Sequence, residues 1–570
     1  MPLQQLVPSG ATVPVQNTSL ALDAVARYVC NTWPEAVSNG GPPFGAIVVG
    51  AGMYGAAVAT KLYRLTNRRV LVLEAGPFLL PEHVQNMAQI GFNVPGPIPP
   101  AADPGVARDL VWGMPWRGNV DFPGVAYCAG GKSLFWGGWC PRLTAADLSH
   151  WPAATAAYLT ANYAVLEEET GVSVTADFIS GPLYAALRSA FEAATPGIAN
   201  IDLGFGTNGV VDAPLAVQGE APASGLFSFD KYSAMPSLIG AIREDSGNAG
   251  GNDANRRIFL VPRAHVVRFH ESGGTVHTLE VDVDGGRQFL NIQPDAAVIL
   301  AGSTIETTRI ALLSFPSPLM GRNLQVHVRS DFTARIRRAA FPGLPTDVET
   351  AALLIRGEAP TGRFHLQITA SAHSAGSDAV LFHMIPDIDL LEGQLANDDP
   401  DWIAVTVRGV GETHGDRTTP TPNGNAGWIN LSPFENDEFG VARAFVHLAI
   451  GTEDAATWQA MDQASVQLVQ AIAGAPGNIE YLYDGGFQTA PFPLNRPFPE
   501  WHRGLGTTYH ESGTLWMGDD PASSVTDPVG RFHHLANAYA CDQSIFPTVG
   551  SVNPTLTGLT LARQLADSLA

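Results

Sequence analysis

Two short stretches hold residue types that could do chemistry. The first, VVGAGMYGAAVA, carries Gly50, Gly52 and Gly55 between an apolar run and a helical pattern. Glycines so spaced permit a tight turn, a close approach of backbone to a pyrophosphate, and close packing of helix on strand. The helix start then offers unpaired N–H groups to phosphate. Glu74 closes the next apolar run, RRVLVLEAG, where a carboxylate would accept hydrogen bonds from an adenosine ribose. The second stretch, TTYHESGTLWMG at 507–518, sets His510 between Tyr509 and Glu511, followed by Ser512 and Gly513. An imidazole titrates near neutral pH and can take a proton, but an arbitrary histidine among the chain's 15 is better read as structural or solvated.

These residues need elements to hold them. FGAIVVGAG reads as a buried strand, AAVATKLYRL as a helix and RRVLVLEAG as a second strand, a compact βαβ unit. An isolated glycine fingerprint is weak evidence; this one has its strand, its helix and its acid, and points to a dinucleotide without separating NAD from FAD. Residues 1–43, ending in NGGPP, read as an extension or short helix. Residues 77–125 are a Pro- and Gly-rich excursion with exposed aromatics. GVAYCAGGKSLFWGGWCPR (124–142) is glycine-dense, which with Phe135 and Trp136 suits backbone packed close to a flat ring. GGKS is no phosphate loop of the Walker type, because that loop needs glycine where Ala126 stands.

Residues 153–195 read as largely helical, 256–286 as strands, and 295–314 as strand, turn and helix. From about 326 to 450, DFTARIRRAA, RFHLQITASA, AVLFHMI, DWIAVTVRGVG, GWINLSPF and VARAFVHLAI predict one antiparallel sheet. EDAATWQAMDQASVQLVQAIAG is an amphipathic helix with acids in its first turn and a glycine beyond its end. Near the C-terminus, NAYACD is a strand ending at Asp542, and NPTLTGLTLARQLA opens a helix. There Asn and Pro could simply be cap and first-turn residues.

At 570 residues the chain calls for two or more structural units. Its net charge of −22, from 54 acidic and 32 basic residues, repels nucleic acid and anionic membranes. Cys30, Cys128, Cys140 and Cys541 form neither a disulfide framework nor a zinc set, and His533 and His534 lack partners at ligand spacing, so no metal is expected. The start has no secretory pattern and no run approaches the roughly 20 apolar residues of a membrane helix. The expectation is a soluble, cytoplasmic protein, with the sequon at Asn17 arising by chance. No G-x-S-x-G elbow supports a serine hydrolase, and no carboxylate pair stands out as a glycosidase dyad.

Taken together, the sequence resembles the glucose–methanol–choline family of flavin oxidoreductases. The similarity is densest in 45–76, 128–142, 295–325 and 504–568. AGSTIETTRIALLS followed by MGRNLQVH looks like the family's strand-and-helix segment, and H-x-x-G-T-x-x-M-G is met by His510, Gly513, Thr514, Met517 and Gly518. The pairing of His510 with Asn553, the stretch VNPTLTGLTLA, and Trp136 within GGKSLFW are similar to the pyranose oxidase branch. The resemblance implies a mixed α/β fold: a Rossmann-like FAD-binding domain (44–150, 200–325 and 496–570) after a 1–43 extension, and a substrate domain (151–199 and 326–495) with a largely antiparallel sheet flanked by helices.

The resemblance further implies that Gly50, Gly52, Gly55 and Glu74 hold the ADP half of FAD, with Val266 meeting adenine through its backbone. Gly131 and Ser133 would approach the flavin and ribityl chain, Asp542 would line the phosphate–ribityl path, and Asn553, Pro554 and Thr555 would border the pyrimidine end. Phe135 stands where fungal pyranose oxidases carry the histidine that tethers FAD, so the flavin is expected to be non-covalent. The implied reaction is oxidation of a small-molecule alcohol or sugar, with His510 as base, Asn553 orienting the alcohol oxygen, and O₂ or a quinone as the final acceptor. Lys132 would either stabilise reduced flavin or point to the surface. Glu511, directed away from His510 in extended backbone, reads as a solvated or salt-bridged acid. A flavin-bearing lyase or decarboxylase on the same fold remains an alternative, and the C-terminal His/Asn pair argues against an NAD-dependent dehydrogenase.

Overall fold

Unbroken runs of Val, Ile and Leu suit strands covered on both faces. Ala46–Val49, Val70–Leu73, Ile258–Val261 and Ala297–Leu300 are buried at every position. In the structure, a computed structural model, described residues are 20–87, 111–120, 124–172, 179–218, 230–373, 376–422 and 424–570. There these strands form one parallel sheet in the order Ala538–Ala540, Ala297–Leu300, Ala46–Val49, Val70–Leu73, Ile258–Val261. Helix Met53–Leu65 crosses between the first two strands in sequence, and the last helix, Thr555–Ser568, packs on it.

A second sheet, antiparallel throughout, runs in the order Gly486–Gln488, Ile479–Tyr483, His327–Arg337, Trp402–Glu412, Gly362–Ala372, Glu349–Ala359, Val210–Asp212. Helices Pro182–Ala194 and Thr452–Ala473 cover it and close a separate core around Phe332, Phe364 and Met461. The architecture is the expected mixed α/β one, a Rossmann-like parallel unit beside a largely antiparallel sheet flanked by helices.

Several elements differ from the sequence reading. AVLFHMI is a helix, Asp378–Met384, not a strand; so short an apolar run carries no period that separates the two. Glu349–Ala359 is a strand that alternation did not reveal, because it is buried on both faces. Trp428–Asn436 and Ala442–His447 leave the main sheet and pair with each other, and Ala442–His447 pairs on its other side with Trp116–Gly118. That pairing buries Trp116, and Trp112 is buried as well, so the aromatics of the 77–125 excursion that lie among the described residues are not exposed. Residues 88–110 and 121–123 of the excursion, and residues 1–19 with Asn17, lie outside the described residues. Helix Ala153–Thr170, grouped by sequence with the antiparallel sheet, sends Leu159, Tyr163 and Leu166 into the core of the parallel unit. Among the described residues no helix is long and apolar enough to cross a membrane. The four cysteines are free and buried.

Candidate active site

Three helix N-termini converge on one cavity. Gly52 caps Met53–Leu65, Ser303 caps Thr304–Ser314, and Pro554 caps Thr555–Ser568. Gly52, Ser303 and Thr555 line a cavity of about 410 Å³. Each helix start carries unpaired N–H groups and a fractional positive charge, so this wall attracts an anion such as a pyrophosphate.

Glycine is required at the points of closest approach. Gly50 has φ +96°, and a Cβ there would lie 2.5 Å from the Ala301 carbonyl oxygen. At Gly52 a Cβ would meet nothing within 4 Å, so bare backbone faces the cavity. Gly131 has φ +51° and would press a Cβ to 3.1 Å from the Gly52 Cα, while the Gly130 N–H donates to the Ala51 carbonyl at 2.8 Å. The two glycine loops are thus one wall.

Of the residues the sequence singles out, Gly50, Gly52, Glu74, Gly131, Lys132, Ser133, Val266, His510, Asp542, Asn553 and Thr555 line the cavity. Gly55 and Pro554 do not: Gly55 packs helix on strand, and Pro554 serves as a cap. Glu74 accepts N–H groups of Ala51 and Gly76, each at 2.9 Å, and burial raises its pKa to about 7. The carboxylate therefore ties the glycine loop to its strand, with lone pairs left for ribose hydroxyls. Asp542 accepts from the Thr307 hydroxyl at 2.6 Å and the Ser544 N–H at 3.0 Å, and the Ser133 hydroxyl donates to the Gly130 carbonyl at 2.6 Å.

Glu511 is not solvated. It is 3% exposed, one carboxylate oxygen lies 3.8 Å from Lys132 Nζ, and Lys132 Nζ sits 4.9 Å above the Tyr509 ring. Lys132 lines the cavity, and burial raises the Glu511 pKa against the pull of Lys132. Removing the cation with Lys132→Met raises that pKa further, so the native variant holds the proton to higher pH. The variant's stability deficit is expected to be small at pH 5 and to grow by about 1–3 kcal/mol towards pH 8. Melting curves at the two pH values check this, and a deficit independent of pH counts against it.

His510 is buried, and its chemistry is set by its neighbours. The Gly550 carbonyl can only accept, so His327 Nε2, at 2.9 Å, carries a proton. Burial holds the His327 pKa down at about 4, the ring is neutral, and its Nδ1 is a lone pair. His510 Nδ1, 2.7 Å away, must then be the donor. The remaining nitrogen, His510 Nε2, is a lone pair beside the cavity, with Asn553 Nδ2 at 3.4 Å. Burial, then His327, His365, Lys132 and Arg329, push the His510 pKa well below the usual imidazole range. His510 is thus a neutral proton acceptor across the ordinary pH range.

The far end of the cavity is walled by the antiparallel sheet. Against burial, Arg329 and Arg408 hold Asp331 well below the usual carboxylate range, and Arg503 joins them at 2.9 Å. Asp389 bridges Arg329 and Arg408 at 2.7 and 2.9 Å. This end is polar and rigidly paired.

The sequence reading assigned no role to His327, His365, Gln367 or this ionic cluster. His327 ends the MGRNLQVH stretch, and period-2 spacing sets Arg329 with Asp331, and His365 with Gln367, on single faces of strands. What was missing was which strands meet. Among the described residues no group of three or more His, Cys, Asp or Glu could hold a metal.

Residues 426–562 match the GMC oxidoreductase family. A 48-residue segment is 50% identical to paromamine 6'-oxidase of Streptomyces fradiae and spans 8% of this chain and 9% of that relative's length. A 65-residue segment is 45% identical to 6'''-hydroxyparomomycin C oxidase of Streptomyces lividus and spans 11% of this chain and 12% of that relative's length. Over 93% of this chain and 98% of its own, the structure of an Aspergillus oryzae RIB40 formate oxidase superposes with a TM-score of 0.58 at 15% identity, a likeness of fold.

Proposed function

We propose that this chain, a member of the GMC oxidoreductase family, is an FAD-dependent oxidoreductase that oxidises a CH–OH group of a small molecule to a carbonyl. The observation that carries the reading is the lone pair of His510 Nε2 beside the Asn553 amide at one edge of the cavity. The residues present fit FAD: three helix N-termini and the bare backbone at Gly52 suit its pyrophosphate, and Glu74 suits a ribose. The FAD-binding unit is drawn from 44–150, 200–325 and 496–570 together with helix Ala153–Thr170, and 326–495 shapes the substrate end.

When bound, FAD supplies the hydride acceptor. The chain's residues handle the proton and the geometry. The Asn553 amide donates to the alcohol oxygen and orients it. His510 Nε2 takes the hydroxyl proton as the carbonyl forms, so no costly cationic carbon builds up. His327 Nδ1 accepts from His510 Nδ1–H throughout and steadies the imidazolium that results. Charge separation inside a buried cavity is screened weakly, so Lys132 at the rim favours negative charge arriving on the acceptor side. The ion-paired far wall supports a hydrophilic, hydroxyl-rich alcohol such as a sugar or glycoside, and O₂ or a quinone completes the cycle.

Anaerobic addition of sugars and alcohols tests the reading: bleaching of the flavin bands is expected, and a bound flavin that no alcohol reduces would favour a lyase or decarboxylase instead. Phe135 lines the cavity and cannot form a covalent link. Acid precipitation is therefore expected to release all FAD into the supernatant; flavin retained in the pellet refutes non-covalent binding.

A further inference from the structure

The two residues that meet an alcohol in this reading are oriented from the same short loop. Gly550 carries the carbonyl that dictates the His327 and His510 tautomers. Its neighbour Ser551 carries a second carbonyl that accepts from His365 Nδ1. An acceptor there means that Nδ1 bears the proton, and burial keeps the His365 pKa down at about 3, so its Nε2 is a lone pair. Gln367 Nε2 lies 3.0 Å from that lone pair and donates its other N–H to Asn553 Oδ1 at 2.7 Å. With its oxygen so engaged, the Asn553 amide must turn its NH₂ toward His510 Nε2.

We propose that the Gly550–Ser551 peptides fix the donor–acceptor polarity of the site through two hydrogen-bond chains, and that His365 and Gln367 are positioning residues for Asn553. One chain ends in a lone pair and the other in an N–H, which together match a hydroxyl that must donate one hydrogen bond and accept another. Inverting the amide would set an oxygen against the His510 lone pair and leave the alcohol without a donor. The loop is built to hold this arrangement. Gly550 has φ +70°, a Cβ there would lie 2.5 Å from Leu143, and Asp147 accepts the Ser551 N–H at 3.1 Å. His365 and Gln367 are two apart on strand Gly362–Ala372 and so share a face.

The structural content stands independently of the proposed reaction; its catalytic consequence rests on that reading. Nitrogen-15 correlation spectra of the histidine rings in the full chain, recorded without substrate, are expected to show His365 protonated at Nδ1 and His327 at Nε2. The opposite tautomer at either ring overturns the inference while leaving the oxidoreductase reading intact. Correct tautomers in a protein whose flavin no alcohol bleaches would defeat the reading and spare the inference.

The catalytic consequence is tested with Gln367→Glu and Gln367→Met. An ionised carboxylate cannot donate to Asn553 Oδ1, so Gln367→Glu is expected to reduce its flavin roughly tenfold more slowly than Gln367→Met at pH 8. Its rate should recover as the pH falls and the new carboxyl, facing His365, His327, His510 and Arg356 and standing opposite Arg408 on the paired strand, regains an O–H. A residue serving only to fill space would give the reverse order, with the isosteric Gln367→Glu benign and no recovery at low pH, and that result overturns the proposal.

Discussion

His510→Ala should slow anaerobic flavin reduction by about 10²–10⁴ while FAD stays bound. His510 Nε2 is the lone pair that faces the cavity beside Asn553, and the lone pairs of the two neighbouring histidines are already engaged, His327 Nδ1 by the His510 Nδ1–H and His365 Nε2 by Gln367. Glu511, the acid next in sequence, is committed to Lys132. Without the imidazole the hydroxyl proton loses the acceptor held beside Asn553, and the barrier rises by the share that general-base catalysis supplies. The glycine loops and the three helix N-termini that line the cavity are untouched, so the ratio of flavin to protein absorbance should match the parent. An unchanged reduction rate in a variant fully loaded with FAD removes His510 from the mechanism. A loss of bound FAD instead would assign it a structural task.

The second large effect is expected at Gly55. A Cβ there would lie 1.9 Å from the Gly50 carbonyl oxygen, which is backbone and cannot swing aside. Gly55→Val therefore forces helix Met53–Leu65 off its strand. Overpacking of this kind costs about 1–3 kcal/mol or more, and it displaces the helix start that faces the cavity. The variant should melt at lower temperature and purify without flavin colour. Gly52→Ala provides the contrast, since its Cβ would meet nothing within 4 Å. That apoprotein should melt like the parent yet bind FAD more weakly, because the methyl occupies the approach to the pyrophosphate. Equal melting temperatures for Gly55→Val and the parent would show that the helix tolerates the shift.

Much of the parallel unit was readable because its signals are local. A glycine spacing, an apolar run and a helix period are set by neighbours along the chain, and the same holds for the acids that begin Thr452–Ala473 and the glycine after it. The family resemblance also grouped His510 and Asn553 with the segments at 50–55, 130–138 and 541–555 around one site. Where local signal fails, the reading failed with it. The stretch AVLFHMI is too short to show a period, and Glu349–Ala359 is buried on both faces and so has no alternation.

The chain by itself determined the glycine cradle and the helix starts, because each follows from steric and hydrogen-bonding rules over a few residues, and it marked His510 as a candidate through the H-x-x-G-T-x-x-M-G pattern. The tertiary structure decided which nitrogen of that histidine is free, why Glu511 is paired with Lys132, and that His365 and Gln367 reach Asn553. These depend on strand register, in which His365 stands opposite Val410 and Gln367 opposite Arg408. A slip of one residue would turn both side chains to the other face. The chain encodes that register only through the packing of the whole sheet, so no short segment of it could reveal the pairing.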